Sequence, residues 1–255
     1  MSKSAAALEE LLEIQRRLLA PGGCPWDREQ THESLVRYLI EETYEVIEAI
    51  DQGDMHKLRE ELGDLLLQVV FHAALAEERG DFDFAGLTQS VSEKMICRHP
   101  HVFGDMQLKT SEDVLDNWET FKRREGKKYL LDGIPNALPA LMRAEKIQEK
   151  LSRVGYDWPD ISGARDKLQE ELKELDEAAD QDAVREEIGD VLFAIVNIAR
   201  FRKVEVEQAL QATNDKVIRR FNYVEEAVKR KGQRLEQLTL EEMDAIWDEA
   251  KGQGL

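Results

Sequence analysis

The chain has 255 residues, room for one or two domains, and carries 53 Asp and Glu against 35 Lys and Arg, a formal charge of −18. A surface this acidic repels phosphate polymers, which argues against DNA or RNA as a partner but leaves room for a single nucleotide held through a cation. Hydrophobic residues at 42% supply a core, the 35% that are charged suit long surface helices, and no apolar run approaches the ~20 residues that span a bilayer.

The first periodic segment, residues 5–19, places Leu8, Leu11, Leu12 and Leu18 on one side of a helix. Glu and Arg are mixed into it, which is unlike a secretory leader. Cys24 and Cys97 make no disulfide framework, so the expected compartment is the reducing cytoplasm. A helix bearing EETYE at 41–45 follows, then a tight turn near 51–55. A returning helix over 54–79 has Leu58, Leu62, Leu65, Leu66, Val69, Val70 and Ala73 at helical spacing and Asp54 as its N-cap. Beyond it lie KMICRHPHV from Lys94 and TSEDVLDNWETFK from Thr110. Pro135, Pro139 and Gly133 mark residues 130–141 as a connector between modules 1–129 and 142–255.

The second half repeats the first in the same order. EELKE at 170–174 echoes 41–45, and EIGD at 187–190 echoes ELGD at 61–64. KVIRRFNYV from Lys216 echoes the block at Lys94, and TLEEMDAIWDEAK from Thr239 sets Trp247 over Trp118. The offset falls from 129 to 126 between the first two blocks, which implies a shorter turn in the second copy, near 179–182. Asp182 would cap its returning helix, in which Val184, Ile188, Val191, Leu192, Ile195 and Ile198 keep helical spacing. The reading is an all-α protein of two tandem, related helical modules. Each is an antiparallel helical hairpin with a broad apolar face besides its acidic one, which predicts completion by a homodimer.

Residues three apart share a helix face, so Glu42 pairs with Glu45 and Glu61 with Asp64. Glu171 with Glu174 and Glu187 with Asp190 form the second set. Antiparallel pairing gathers each quartet around one small volume. Two such charges about 4 Å apart repel by roughly 4 kcal/mol at an effective dielectric of ~20, so protonation, a basic partner or a divalent cation must offset them. An all-oxygen set without histidine favours Mg²⁺, with Mn²⁺ as a substitute, over iron. A lone ExxE on so acidic a chain is an ordinary solvated face; recurrence of the whole quartet, each followed by matched basic and Trp blocks, singles it out. Cys97, His99 and His101 are too tightly spaced for zinc, and Pro100 interrupts them.

The doubled EExxE–spacer–ExxD pattern, together with CPWDREQTHESL at 24–35, RHPHVFGD at 98–105 and VGYDWPD at 154–160, resembles the MazG family of nucleoside triphosphate pyrophosphohydrolases in its two-module bacterial form. The resemblance runs from about Cys24 to Lys251. It implies an all-α, Mg²⁺-dependent dimer that cleaves NTPs or dNTPs to monophosphate and pyrophosphate, in nucleotide-pool housecleaning or control of nucleotide signals. It carries the metal ligands onto the eight carboxylates above, and the phosphate-binding residues onto Lys94 and Arg98, then Lys216, Arg219 and Arg220. Glu171 or Glu174 is the expected general base, and Trp158 and Trp247 are candidates for stacking on the base. Cys97 stands where Arg219 stands in the second copy, which favours the second module as the main hydrolytic site. The rival reading is a non-catalytic, metal- or nucleotide-binding regulatory protein.

Overall fold

The computed structural model describes residues 2–110, 113–114 and 128–255. Trp118 lies outside them. The chain divides into two compact units, Met1–Asp113 and Val114–Leu255. Every described element is helical, and no strand occurs among the described residues.

The N-terminal unit contains α1 (Lys3–Leu19), α2 (Pro25–Arg28), α3 (His32–Gln52), α4 (Met55–Arg79), α5 (Phe84–Arg98) and the single turn α6 (Pro100–Phe103). Its centre is the α3–α4 hairpin, with α1 and α5 against α4. Thr31 and Ser34 form a reciprocal capping box at the start of α3. At the other end Gly53 takes the left-handed conformation, φ 67°, that turns the chain back. Asp54 then caps α4 as the spacing predicts, accepting from the amides of His56 and Lys57 at 2.9 and 3.1 Å. Leu19, Leu35, Phe71, Ala74 and Leu75 form the buried cluster, with Tyr38 packed on it.

The C-terminal unit contains α7 (Ala140–Ser152), α8 (Ile161–Glu177), α9 (Gln181–Phe201), α10 (Val206–Arg230), the 3₁₀ turn Leu235–Gln237 and α11 (Leu240–Gly252). Helices α8 and α9 are its hairpin, α7 lies against α9 and α10, and α11 packs on α10 around Val224, Ala227, Val228 and Ile246. Buried Lys150 donates to the carbonyls of Leu130 and Asp132 at 2.9 and 3.1 Å, tying the residues before α7 to that helix. These bonds offset the desolvation of its ammonium.

Two local expectations are corrected. The cap of α9 is Asp180, which accepts from the amides of Asp182 and Ala183, so Asp182 sits inside the first turn and pairs with Arg185. The fall in offset does not come from a shorter turn. Helix α3 runs seven residues past Glu45 to Gln52, whereas α8 runs three past Glu174 to Glu177, and the link in the second copy is one residue longer. About one helical turn has been removed from the first arm of the second hairpin, while its returning arm reaches Glu187 after the same number of residues as α4 reaches Glu61.

The apolar stripe of α4 is split: Val70 and Ala73 are buried, but Leu62 and Leu66 are 49% and 41% exposed. In α9 none of the six stripe residues is fully buried, Ile188, Leu192 and Ile195 being 41–46% exposed, and the buried apolar residues are Ala194 and Val196 beside them.

Candidate active site

Each hairpin brings its acidic residues together. In the N-terminal unit, carboxylate oxygens of Glu42, Glu45 and Glu61 lie within 4.8 Å of one another. Glu42 is held above the ordinary carboxylate range by desolvation first, then by the charge of Asp64, so the fourth member faces the same volume. In the C-terminal unit the set within 4.8 Å is Glu171, Glu187 and Asp190. Glu187 is likewise pushed up by desolvation, with Glu174 its largest charged neighbour. All eight predicted carboxylates therefore belong to two quartets.

The C-terminal quartet fits a divalent cation for a further reason. Glu187 Oε2 is buried and accepts no hydrogen bond, an expensive arrangement for a carboxylate unless a cation approaches it. Glu171 is 5% exposed and is balanced by Lys167, whose Nζ lies 2.7 Å from Glu171 Oε1 and 2.8 Å from Glu170 Oε1. That pairing holds the Lys167 ammonium well above its ordinary range.

A cavity of about 530 Å³ adjoins this quartet. Glu171, Asp190 and Lys167 form one part of its wall, and Trp158, Gln148 and Asn197 are among the residues lining the rest. Its polar side chains are tied by hydrogen bonds and an ion pair. Arg200 pairs with Asp157 at 2.6 Å and donates to Asn197 Oδ1 at 2.7 Å, while Asp157 accepts from the backbone amide of Trp158 at 2.9 Å. The indole of Trp158 lies over Gly163 so closely that a Cβ there would sit 2.2 Å from Cδ1. Buried Gln148 donates from Nε2 to the Phe193 carbonyl at 2.8 Å.

The repeat-matched positions of the N-terminal unit are filled differently. Tyr38 stands for Lys167, Gln68 for Ala194 and Phe71 for Asn197. Gln68 and Phe71 are buried, Phe71 in the apolar cluster, and Tyr38 packs on that cluster and makes an edge contact with Trp26 at 5.7 Å. Bulk thus occupies positions that line open space in the other unit.

The basic residues are placed on helices that pack near the hairpins. Lys94 and Arg98 lie on α5; Lys216, Arg219 and Arg220 lie on α10. Among the described residues no ion pair joins Lys216, Arg219 or Arg220 to the C-terminal quartet. Arg220 donates from Nε to the Leu255 carbonyl at 2.7 Å, and its guanidinium lies 5.7 Å from the ring centre of Trp247. Trp247 packs on the α10–α11 apolar cluster and is not among the residues lining the cavity, whereas Trp158 is.

Sequence reasoning missed Lys167, Gln148, Asn197 and the Asp157–Arg200 pair. One signal was available: Ile14–Gln15 and Ile147–Gln148 recur ahead of the two hairpins, and both glutamines are buried, at 1% and 3% exposed.

Comparison with known proteins agrees with the doubled architecture. The family described as the MazG nucleotide pyrophosphohydrolase domain matches residues 30–103 and again 162–225. Over 99% of its length, and 98% of the relative, the chain is 48% identical to the nucleoside triphosphate pyrophosphohydrolase/pyrophosphatase MazG of Thermotoga maritima. It is 44% identical to the nucleoside triphosphate pyrophosphohydrolase of Escherichia coli, over 96% of this chain and 97% of that one. A solved mazG-related protein from Thermotoga maritima is 34% identical, covers 45% of this chain and 98% of its own, and superposes with a TM-score of 0.40. With an acidic quartet inside each matched segment, the chain belongs to the MazG family and carries the family's domain twice.

Proposed function

We propose that the protein hydrolyses nucleoside triphosphates to the monophosphate and pyrophosphate, with Mg²⁺ as its ion and the C-terminal unit as the principal site. One observation carries this reading: Glu171, Asp190 and Lys167 line both the acidic cluster and the cavity that contains Trp158, so a triphosphate and a nucleoside have adjoining places. The names of relatives at 44–48% identity over nearly the whole chain support the same activity.

Glu171, Glu174, Glu187 and Asp190 would hold the cation, which when bound supplies charge neutralisation and polarises the phosphate under attack. Glu174, more exposed than Glu171 and outside the tightest set of three, is suited to accept a proton from the attacking water. Lys167 can exchange a carboxylate partner for a phosphate oxygen and offset charge as the bond to pyrophosphate breaks. Lys216, Arg219 and Arg220 supply further positive charge for the leaving group. Trp158 offers the base an aromatic face. Lys94 and Arg98 would serve the N-terminal quartet, a weaker site because its counterpart of the cavity is filled by Tyr38, Gln68 and Phe71. Mn²⁺ is the expected substitute ion.

A second copy of the chain would cover the exposed rows at Leu62, Leu66, Ile188 and Leu192, making the working form a homodimer. Among the described residues no helix is long and apolar enough to cross a membrane. A cytoplasmic role in nucleotide housecleaning or signal control accords with this reading.

Product analysis tests it. Each NTP and dNTP is incubated with protein and Mg²⁺, and nucleotides, pyrophosphate and orthophosphate are separated. Monophosphate with stoichiometric pyrophosphate is expected. Diphosphate with orthophosphate would refute the site of attack, and unchanged nucleotide across the panel would favour a regulatory binding protein.

A further inference from the structure

The cavity of the C-terminal unit is walled from two sides. Helix α9 supplies Phe193 and Asn197, and the non-helical link between α7 and α8 supplies the consecutive residues Gly155, Tyr156, Asp157 and Trp158. The first half of that link is tied back to α7: Val154 and Tyr156 donate to the Leu151 carbonyl at 3.1 Å, and Gly155 to the Ser152 carbonyl at 2.9 Å. Trp158 lies beyond these bonds. Its backbone amide donates to Asp157 Oδ1 at 2.9 Å, and the same oxygen accepts from Arg200 Nη2 at 2.6 Å, across 43 positions of chain. One carboxylate oxygen therefore couples the backbone of Trp158 to the last turn of α9.

Arg200 is itself fixed. Its Nη2 carries two N–H groups, and besides Asp157 it serves Asn197 Oδ1 at 2.7 Å, one turn earlier on the helix. Its guanidinium lies 4.7 Å from the ring centre of Phe201. The side chains of Arg200 and Asp157 are 16% and 20% exposed, so solvent and salt screen the pair less than a surface one. The N-terminal hairpin is built otherwise. At the offset of 126 that aligns the returning helices, Phe71 and Ala74 stand for Asn197 and Arg200, and both belong to the buried apolar cluster.

We propose that Arg200 and Asp157 are positioning residues for nucleotide binding: their ion pair clamps the link to α9 and so holds the Trp158 indole in the cavity wall. The inference rests on the reading of the cavity as a nucleoside site. Two constraints set the ring. Gly163 leaves it room against α8, and the Asp157 carboxylate ties its backbone to α9. Without the second, Trp158 keeps its chemistry and loses its place, so binding weakens while the carboxylates that carry the reaction are untouched. Arg200 is not among the residues lining the cavity, so an effect of its substitution on nucleotide binding has to be transmitted. Asp157 does line it, and a direct contact with the nucleotide is the alternative that the test separates.

The test is a double-mutant cycle read in KM and kcat. Pyrophosphate release by the full chain with Mg²⁺ is measured against the concentration of the nucleoside triphosphate that it cleaves fastest. The variants are Arg200→Met, Asp157→Ala, Trp158→Leu, and each of the first two combined with Trp158→Leu. Every single variant should raise KM by about tenfold, the scale of one base–aromatic stack, with kcat within about twofold of wild type. Each double variant should lie within about twofold of Trp158→Leu alone, because a clamp has nothing to hold once the indole is gone. Arg200→Met and Asp157→Ala cut the same link from opposite ends, so either one that folds decides the matter. Factors that multiply in the double variants overturn the inference, since Asp157 or Arg200 would then act apart from the ring. An unchanged KM in the single variants overturns it too, including a loss of rate that only follows the amount of folded protein. In each of these cases pyrophosphate release by the wild type leaves the hydrolase reading standing. Absence of pyrophosphate from every nucleotide overturns both.

Discussion

Substituting Gly163 by Ala tests the role proposed for Trp158 in substrate binding apart from any role in stability. Gly163 lies in the first turn of α8, and an added Cβ would stand 2.2 Å from Trp158 Cδ1 and 2.4 Å from Cγ. The indole must retreat by more than an ångström to reach ordinary contact. It can do so because Trp158 is 40% exposed. Loss of its packing is offset by replacing a helical glycine with alanine, which favours the helix by up to about 1 kcal/mol, so the melting temperature should move little. Binding should not be spared. Stacking of a base on an aromatic ring contributes about 1–3 kcal/mol, and displacing the ring should raise KM for nucleotide by about tenfold with kcat at saturation nearly retained. Pyrophosphate release measured against nucleotide concentration, alongside a thermal melt, reads both quantities. A variant with wild-type KM would show that Trp158 does not contact the nucleotide. A lower Tm with activity falling only in proportion to folded protein would show that its role is structural.

Glu174→Ala should abolish most turnover while Glu45→Ala spares much of it, measured as initial rates under saturating Mg²⁺; the reverse ranking would assign the main site to the N-terminal unit. Glu187 and Glu42 have raised carboxyl pKa values, so the folded state binds protons more readily than the unfolded one. Their repulsion is absent below the ordinary carboxylate range and grows as pH rises through the raised values. Added Mg²⁺ should therefore lift Tm more at pH 7.5 than at pH 4.5, and Glu187→Gln should shrink the difference; equal lifts at both pH values would contradict this. His72 faces His32, Nδ1 to Nδ1 at 2.8 Å, and desolvation followed by the His32 charge depresses its pKa. Its contribution to stability is present above the ordinary histidine range and is lost as pH falls through it. His72→Ile, the residue at the matched position Ile198, should flatten the decline of Tm between pH 7.5 and 5.5, and a slope unchanged by the substitution would exclude His72 as its source.

Periodicity and repetition carried much of the architecture. The α4 boundaries and the Asp54 cap follow from spacing and a single acidic residue, because both depend on contacts within a few positions of the chain. The missing helical turn in α8 was misplaced because an offset between repeats counts residues without saying whether they lie in helix or link. The carboxylate quartets were legible for a similar reason, since three-residue spacing sets a helix face and the repeat supplied the pairing of helices.

The cavity was not legible. Lys167, Asn197 and Gln148 come from α8, α9 and α7, and nothing in their local sequence marks them as neighbours. The burial of Phe71 and the openness around Asn197 depend on side-chain volumes meeting across helices, a packing property that no periodic pattern encodes. The sequence by itself determined two acidic helical hairpins. Only the tertiary structure decided that a cavity adjoins the second hairpin, because empty space is made by residues distant in the chain.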